Sequence, residues 1–192
     1  MPIPAVVEGY VESIFLPVVL DQIGRADLQP IIRNAGGESK FWLAAARYNE
    51  AGKHMPVIGL ADLEQARCAS SLLAGKLPHK SGGFHLRIAV RMLESWLLAD
   101  RQAMARFLRV PISTLPLNPD GEAHAKRLLV DIARRSTSKA IRNALVPDDS
   151  GGIVGADYAA TMIKFIEEHW RVAVARKSSP SLEKACQRWF AI

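Results

Sequence analysis

The chain has 192 residues, of which 49% are hydrophobic and 23% charged, and these values are typical of one or two domains with a packed core. No apolar run approaches the roughly 18 residues of a membrane span, and no basic and then apolar leader opens the chain. The cysteines Cys68 and Cys186 are too far apart in sequence for a zinc site and too few for a disulfide framework. We therefore expect a cytoplasmic protein with buried free thiols and no membrane partner.

The net charge of +6 is carried by the second half of the chain. Residues 1–100 contain 10 Lys and Arg against 10 Asp and Glu, whereas residues 101–192 contain 15 against 9. A neutral half beside a basic half favours a polyanionic partner such as nucleic acid, because its phosphates attract Lys and Arg. Charge alone leaves an alternative open, an ordinary basic protein that binds no anion.

The first 90 residues alternate between short apolar runs and segments with helical spacing. Pro30 places the second predicted strand at an edge of the sheet or delays its start, and Pro17 predicts a kink or a break in the first helix. Strands that alternate with helices are typical of βαβ units and a largely parallel sheet. The predicted strands are 3–7, 28–33, 54–60 and 84–90, and the predicted helices are 11–23, 38–51 and 64–73.

After residue 90 the pattern predicts helices only. Ser179 can cap the last helix, and Pro180 suits its first turn. The predicted fold class is α/β, with a four-stranded, mainly parallel sheet flanked by helices in residues 1–110. A helical extension in residues 111–192 is expected to pack on this core as one structural unit. A long helix at 92–110 ends the core, and the extension contains a Pro-rich link at 111–119, helices at 122–134 and 156–175, a loop at 147–155 and the final helix.

Two short acidic clusters follow directly on apolar runs. Glu8 and Glu12 come after the first predicted strand, and Asp62 and Glu64 come after the third. The carboxyl ends of parallel strands form the crevice in which α/β sheets bind ligands. Because three or four carboxylate oxygens suit a hard cation such as Mg²⁺ or Mn²⁺, the sequence predicts a metal site and phosphodiester chemistry there.

The four acids differ in how readily a structural role explains them. Glu12 lies near a predicted helix start, where the helix dipole favours an acid, so it is equally a helix stabiliser or a site residue. Glu8 ends a buried strand, which is costly unless a cation compensates. Asp62 and Glu64 are two apart and would lie on one side of an extended segment, where their repulsion calls for a cation.

Two segments could handle phosphate. Lys40 follows a glycine-rich turn at 34–37 whose N–H groups could cradle a phosphate, although a plain strand-to-helix turn also explains it. A basic stretch after residue 125 could follow a nucleic-acid backbone, or it could be a solvated helix face. Its members are Lys126, Arg127, Arg134, Arg135, Lys139 and Arg142, with Asp131 as the only acid between them.

These motifs resemble those of a known family. Residues 7–12 (Val-Glu-Gly-Tyr-Val-Glu) resemble the first motif of toprim domains, and residues 60–64 (Leu-Ala-Asp-Leu-Glu) resemble their second. Together with residues 93–100, Cys68 and residues 179–181, they make most of the chain similar to the bacterial toprim-like domain-of-unknown-function family 4276, which is related to the OLD-type nucleases.

The resemblance implies roles for four acids. Glu8 would be a metal ligand or general base, Asp62 and Glu64 metal ligands, and Glu94 a further contributor to the catalytic site. The implied function is that of a Mg²⁺-dependent phosphodiesterase or endonuclease acting on nucleic acid in a defence or toxin-like system. A separate ATPase partner is implied as well, because the chain has no P-loop.

The alternative is a catalytically inactive toprim-like module that binds a partner protein or nucleic acid. Two departures from the family pattern favour it. Val11 stands where a small hydroxyl residue is frequent, and Glu64 stands where aspartate is usual. A longer ligand arm loosens the geometry that Mg²⁺ requires.

Overall fold

A computed structural model of the protein describes residues 2–148 and 151–192 and contains a four-stranded parallel sheet. The predicted fold class is therefore confirmed. The strand order is β2-β1-β3-β4, so the strand that begins with Pro30 lies at an edge, as expected for a residue that cannot donate to a neighbouring strand. The strands are β1 (Ile3–Val7), β2 (Pro30–Asn34), β3 (Val57–Asp62) and β4 (Phe84–Ala89).

The central strand β3 is buried along its whole length, because helices cover both faces of the sheet. The sequence predicts it at 54–60, but residues 53–55 continue the turn that ends the preceding helix. The strand therefore runs to Asp62, which pairs with Ala89 of β4. The strand thus begins three residues later and ends two residues later than predicted, and the later end places Asp62 on the sheet itself.

Helices surround the sheet and are joined by loops and turns. Short 3₁₀ turns lie at Ala26–Leu28, Ile112–Thr114 and Pro119–Gly121. Within residues 2–148 and 151–192, no helix combines the length and apolar character needed to cross a bilayer. The helices are α1 (Tyr10–Gln22), α2 (Glu38–Ala51), α3 (Ala69–Lys76), α4 (Leu93–Leu98), α5 (Arg101–Leu108), α6 (Ala125–Ala133), α7 (Lys139–Leu145), α8 (Tyr158–Glu168), α9 (Val172–Ala175) and α10 (Pro180–Phe190).

Several helix boundaries differ from the sequence prediction. The helix predicted at 92–110 divides into α4 and α5, because Asp100 caps α5 by accepting from Ala103 N at 3.1 Å. The helix predicted at 156–175 divides into α8 and α9, and the helix predicted from residue 64 begins only at α3. Pro17 lies inside an unbroken α1. The predicted cap is confirmed, since Ser179 Oγ accepts from Leu182 N at 3.2 Å.

Two hydrophobic clusters cover the two faces of the sheet. One contains Phe41 and Phe84 and lies under α2 and α3. The other joins α1 and α4 to the helices after residue 110, so the extension and one face of the sheet share a core. Its centre is aromatic: Phe15 packs on Trp96 and Trp170 with ring centroids 5.7 and 4.9 Å apart. The helical extension is thereby fixed against the carboxyl edge of the sheet.

The two cysteines lie in different environments. Cys186 is buried in the core, as expected, whereas Cys68 is exposed at the start of α3. Its Sγ accepts from Ser71 N at 3.4 Å, so it caps that helix. The expected burial is therefore wrong for Cys68.

Candidate acidic site at the carboxyl edge of the sheet

Glu8 occupies the sharp turn between β1 and α1. Gly9 follows it, and a Cβ at that position would lie 2.6 Å from Glu12 Oε2, so only glycine allows the helix acid to fold back this closely. The Glu8 side chain reaches across to β3, where its Oε2 accepts from Asp62 N at 3.3 Å. The two strand ends that carry the predicted acids are therefore in direct contact.

The glycine-rich turn before α2 supports the same loop. Gly36 N and Gly37 N both donate to the Glu8 carbonyl, at 3.1 and 2.9 Å. The N–H groups that could cradle a phosphate are thus engaged within the protein, and Lys40 is exposed on α2. This segment acts as a strand-to-helix turn that holds Glu8 in place.

Asp62 fixes the start of the next acidic element. Its side chain is only 8% exposed, and its Oδ1 accepts from Leu93 N at 2.9 Å, the first residue of α4. The following residue, Glu94, is buried in the first turn of α4. Glu94 therefore joins the site, at the position expected of it just past the fourth strand.

Two residues of the helical extension complete the cluster. Tyr158, the first residue of α8, donates its hydroxyl to Glu94 Oε1 at 3.0 Å. Lys126 of α6 lies 3.4 Å from the same oxygen. The sequence marks Lys126 only as part of a basic stretch, and nothing in it distinguishes Tyr158, because both reach the site through the packing of α6 and α8.

Burial and like charge raise the pKa values of Glu8, Asp62 and Glu12. Burial, reinforced by the charges of Glu12 and Glu64, raises the pKa of Glu8 to about 7, against the lowering effect of the bond from Asp62 N. Burial, together with Glu94, Glu12 and Glu8, raises the pKa of Asp62 well above its usual range. Burial and Glu94 also raise the pKa of Glu12, which places this residue in the electrostatic cluster.

Lys126 is the cation that these acids share. Burial acts to lower its pKa, but Glu94, Asp62 and Glu12 outweigh this effect, and the net result is a raised pKa. Burial and the neighbouring carboxylates also raise the pKa of Tyr158 well above its usual range, so its hydroxyl remains a hydrogen-bond donor. Near neutral pH the cluster thus combines a permanent ammonium group with a carboxyl group able to exchange a proton.

Glu64 does not lie beside Asp62 as the sequence predicts. Its backbone has a φ of +50° and its N–H donates to Arg91 O at 2.9 Å, so the chain has already left the extended conformation. Glu64 instead borders an open cleft of about 430 Å³ next to the cluster. The other residues lining this cleft are Met92, His124, Lys126, Arg127 and Ile153.

The donor chemistry of the cluster fits a hard divalent cation. Glu8 contacts the backbone of Asp62 and Glu64 is close enough to influence Glu8, so carboxylates, the donors that such an ion prefers, lie near one another. In the described part of the chain, however, no three Asp, Glu, His or Cys side chains are grouped so as to hold a metal as they stand.

The other residues predicted to bind phosphate lie apart from the acids. Arg134 is exposed at the end of α6, 3.6 Å from Asp131, and Arg135 is exposed beside it. Neither they nor Lys40 lines the cleft that Glu64 borders. Of the basic stretch, Lys126 and Arg127 are the members that reach the cleft.

No known protein family, curated protein or solved structure matches the chain. The fold and the site themselves define the class, an α/β protein with buried carboxylates at the carboxyl edge of a parallel sheet. Such an edge is where α/β proteins bind their ligands.

Proposed function

We propose that this protein is a Mg²⁺- or Mn²⁺-dependent phosphodiesterase or endonuclease that acts on nucleic acid. The supporting observation is a chain of contacts at one edge of the sheet: Glu8 accepts from Asp62 N, Asp62 accepts from the first residue of α4, and Glu94 of α4 lies beside Lys126. Titratable groups with shifted pKa values beside a cleft are typical of functional sites. The resemblance to toprim domains supports the same chemistry.

Each group has a role in this proposal. Glu8 is either a ligand of the metal or the general base that takes a proton from the attacking water, a role that its pKa of about 7 suits. Lys126 stabilises the negative charge that develops on the phosphoryl oxygens at the mouth of the cleft. When bound, a divalent ion at Glu8, Asp62 and Glu64 would activate water and stabilise the leaving oxygen.

The same proposal includes a cellular setting. The resemblance to toprim-like proteins related to OLD nucleases favours a cytoplasmic defence or toxin-like system. A separate ATPase would supply the nucleotide-hydrolysing activity, since this sequence has no P-loop.

One observation favours a second candidate, a non-catalytic module that binds a partner protein or nucleic acid. Lys126 already contributes a positive charge at Glu94, and Glu64 is turned away from Asp62. An acidic cluster neutralised in this way can be a structural feature of the fold.

Cleavage assays test the leading proposal. Single- and double-stranded DNA and RNA are incubated with the protein in Mg²⁺, Mn²⁺ or EDTA, and we expect metal-dependent cleavage. The Glu8→Gln variant keeps an oxygen for Asp62 N but cannot act as base, so its rate should fall at least about 100-fold. Glu167→Gln, on the exposed face of α8, is the matched control and should cleave like the unmodified protein.

Metal binding separates the two candidates. Mn²⁺ should raise the melting temperature of the unmodified protein but not of Asp62→Asn, because a ligand of the native state stabilises it by mass action. Mn²⁺ stabilisation without cleavage of any substrate would support the non-catalytic module. Cleavage that Glu8→Gln leaves unchanged would contradict the assigned role of Glu8.

A further inference from the structure

A second cavity, of about 800 Å³, lies between α5, α7 and α8. Cationic side chains dominate it, with Glu168 as the single carboxylate among its lining residues. Ala103, Ser138, Ala140 and Ile141 contribute to its floor and walls. Its charged and aromatic lining consists of Arg106, Phe107, Arg109, Lys164, Glu168, His169 and Arg171.

This cavity is separate from the acidic site. Tyr158, in the acidic cluster, begins α8, whereas Glu168 at the cavity ends it. An α-helix of 11 residues is about 16 Å long, so the two sites lie near opposite ends of one rigid element.

The cations of the cavity are differently constrained. Arg171 is held by the fully buried Asp100, with Nε and Nη2 each 2.9 Å from a carboxylate oxygen. In contrast, Arg109 and Lys164 have no carboxylate partner within ion-pair distance in residues 2–148 and 151–192. Arg106 also lines the cavity and likewise has no carboxylate within ion-pair distance in those ranges, so one fixed and three available cations favour an anionic ligand with several oxygen atoms.

Aromatic rings form another part of the lining. The rings of Phe107 and His169 have centroids 5.3 Å apart, and Phe107 is supported from behind by Phe165 at 5.1 Å. Flat rings beside cations are the combination that proteins use to stack a nucleobase while neutralising its phosphate. The cavity volume lies in the range of pockets for small organic ligands.

We propose that this cavity binds a nucleotide. Arg109, Lys164 and Arg171 hold its phosphate groups, and the rings of Phe107 and His169 pack against its base. The nucleotide is either free or one unit of a single strand, since both offer the same phosphate and base. This inference does not depend on the proposed nuclease activity.

Calorimetric titration of the full chain tests the proposal. The probes are AMP, ATP, inorganic tripolyphosphate and a 5′-phosphorylated oligothymidylate of about six nucleotides, a length within the usual range for one binding site. ATP or the oligonucleotide should bind at least about tenfold more tightly than tripolyphosphate, because only the former two offer a base for stacking. Tighter binding of ATP identifies a free nucleotide as the ligand, and tighter binding of the oligonucleotide identifies a strand.

Variants locate the binding. Arg109 has a φ of +53°, and Arg109→Asn removes the charge while suiting this left-handed conformation. Lys164→Gln removes another available cation from a helix position that tolerates glutamine. Each variant should weaken ATP or oligonucleotide binding about tenfold, since each loses a charge-assisted contact. Lys184→Gln, an exposed position on α10, is the matched control for net charge and should bind like the unmodified protein.

Three results would overturn the proposal. The first is that no nucleotide probe binds with a Kd below about 1 mM, and the second is that Arg109→Asn and Lys164→Gln bind like the unmodified protein. Equal affinity for tripolyphosphate and ATP would overturn the role of the rings. Nucleotide binding that is lost in Arg109→Asn and Lys164→Gln, in a protein that cleaves no nucleic acid, would leave this inference standing, so its failure and that of the nuclease proposal are distinguishable.

Discussion

The sites at the two ends of α8 differ in the sign of their charges and in their exposure to water. At its start, buried carboxylates lie around a single lysine, Lys126, whereas at its end, exposed cations line a cavity and one of them, Arg171, is held by the buried carboxylate of Asp100. In the first site the charges are mostly removed from water, which shifts their pKa values. In the second, Arg106, Arg109 and Lys164 remain available to a ligand.

The difference indicates how each site should respond to solution conditions. Buried acids with raised pKa values make the acidic end sensitive to pH. Exposed arginines and lysines stay charged at all ordinary pH values, but salt screens them. A change of pH should therefore act on the buried carboxylates at the start of α8, and ionic strength on the arginines and lysines at its end.

The largest expected effect concerns Asp100, at the basic end. Asp100→Ala removes the cap of α5 and all bonds to Arg171 from a fully buried position, so the free energy of unfolding should fall by about 3 kcal/mol. Urea denaturation measures this change. Asp100→Asn keeps an oxygen that can cap α5 and should lose only about half as much.

The same pair of variants sharpens the comparison between the ends. Asp100→Asn leaves Arg171 without its ionic partner, so nucleotide binding at the cavity should weaken while any metal-dependent stabilisation at the acidic end persists. An Asp100→Ala variant as stable as the unmodified protein would show that the buried ion pair does not support this end of the molecule.

Local patterns predicted much of the framework. The strand at 3–7 and the helix at 38–51 have the predicted bounds, because continuous apolar runs and helical spacing are local signals. Pro30 predicted an edge strand because proline has no backbone N–H to donate to a neighbouring strand. Glu8 and Asp62 meet because parallel strands end at a common edge of the sheet. The resulting contact joins Asp62 N to Glu8 Oε2 at 3.3 Å.

What the sequence did not predict depends on tertiary packing. Asp100 divides a helix that is amphipathic throughout, because Arg171 stabilises the cap from 71 residues away. Tyr158 joins the site only because α8 packs against α1 and α4 through the shared core. The turn at Glu64 follows from its hydrogen bond to Arg91 O, which no residue pattern encodes.

A smaller effect is expected at the acidic end, from Glu8. Its folded-state pKa of about 7 exceeds the ordinary value of 4.5, so the native state binds this proton more tightly than the unfolded chain. The stability that Glu8 contributes is thus fully present below about pH 4.5 and is lost as the pH rises to about 7. Glu8→Gln removes this loss.

Urea denaturation at pH 5 and pH 8 measures the effect. Relative to the unmodified protein, Glu8→Gln should gain about 2 kcal/mol between these values, after allowance for the partial contact of Glu8 with water. Glu167→Gln, exposed on α8, serves as the control and should show no such gain. If the free energy of unfolding changed equally between pH 5 and pH 8 in Glu8→Gln and in the unmodified protein, Glu8 would not titrate in this range.

The smallest expected effect concerns Tyr158, where α8 enters the acidic cluster. Tyr158→Phe deletes one hydrogen bond to Glu94 Oε1 and leaves Lys126 in contact with that oxygen, so the free energy of unfolding should fall by about 1 kcal/mol. Because the raised pKa of Tyr158 keeps its hydroxyl protonated, this loss should be the same at pH 5 and pH 8, unlike that of Glu8.

The variant also tests whether the two ends of α8 act independently. The Tyr158 ring remains in place as phenylalanine, so α8 should keep its position and the cavity near Lys164 its shape. Unchanged nucleotide binding by Tyr158→Phe would show that the acidic and basic ends are energetically separate. A loss of binding comparable to that of Lys164→Gln would show instead that α8 couples them, since the substitution removes no group from the cavity.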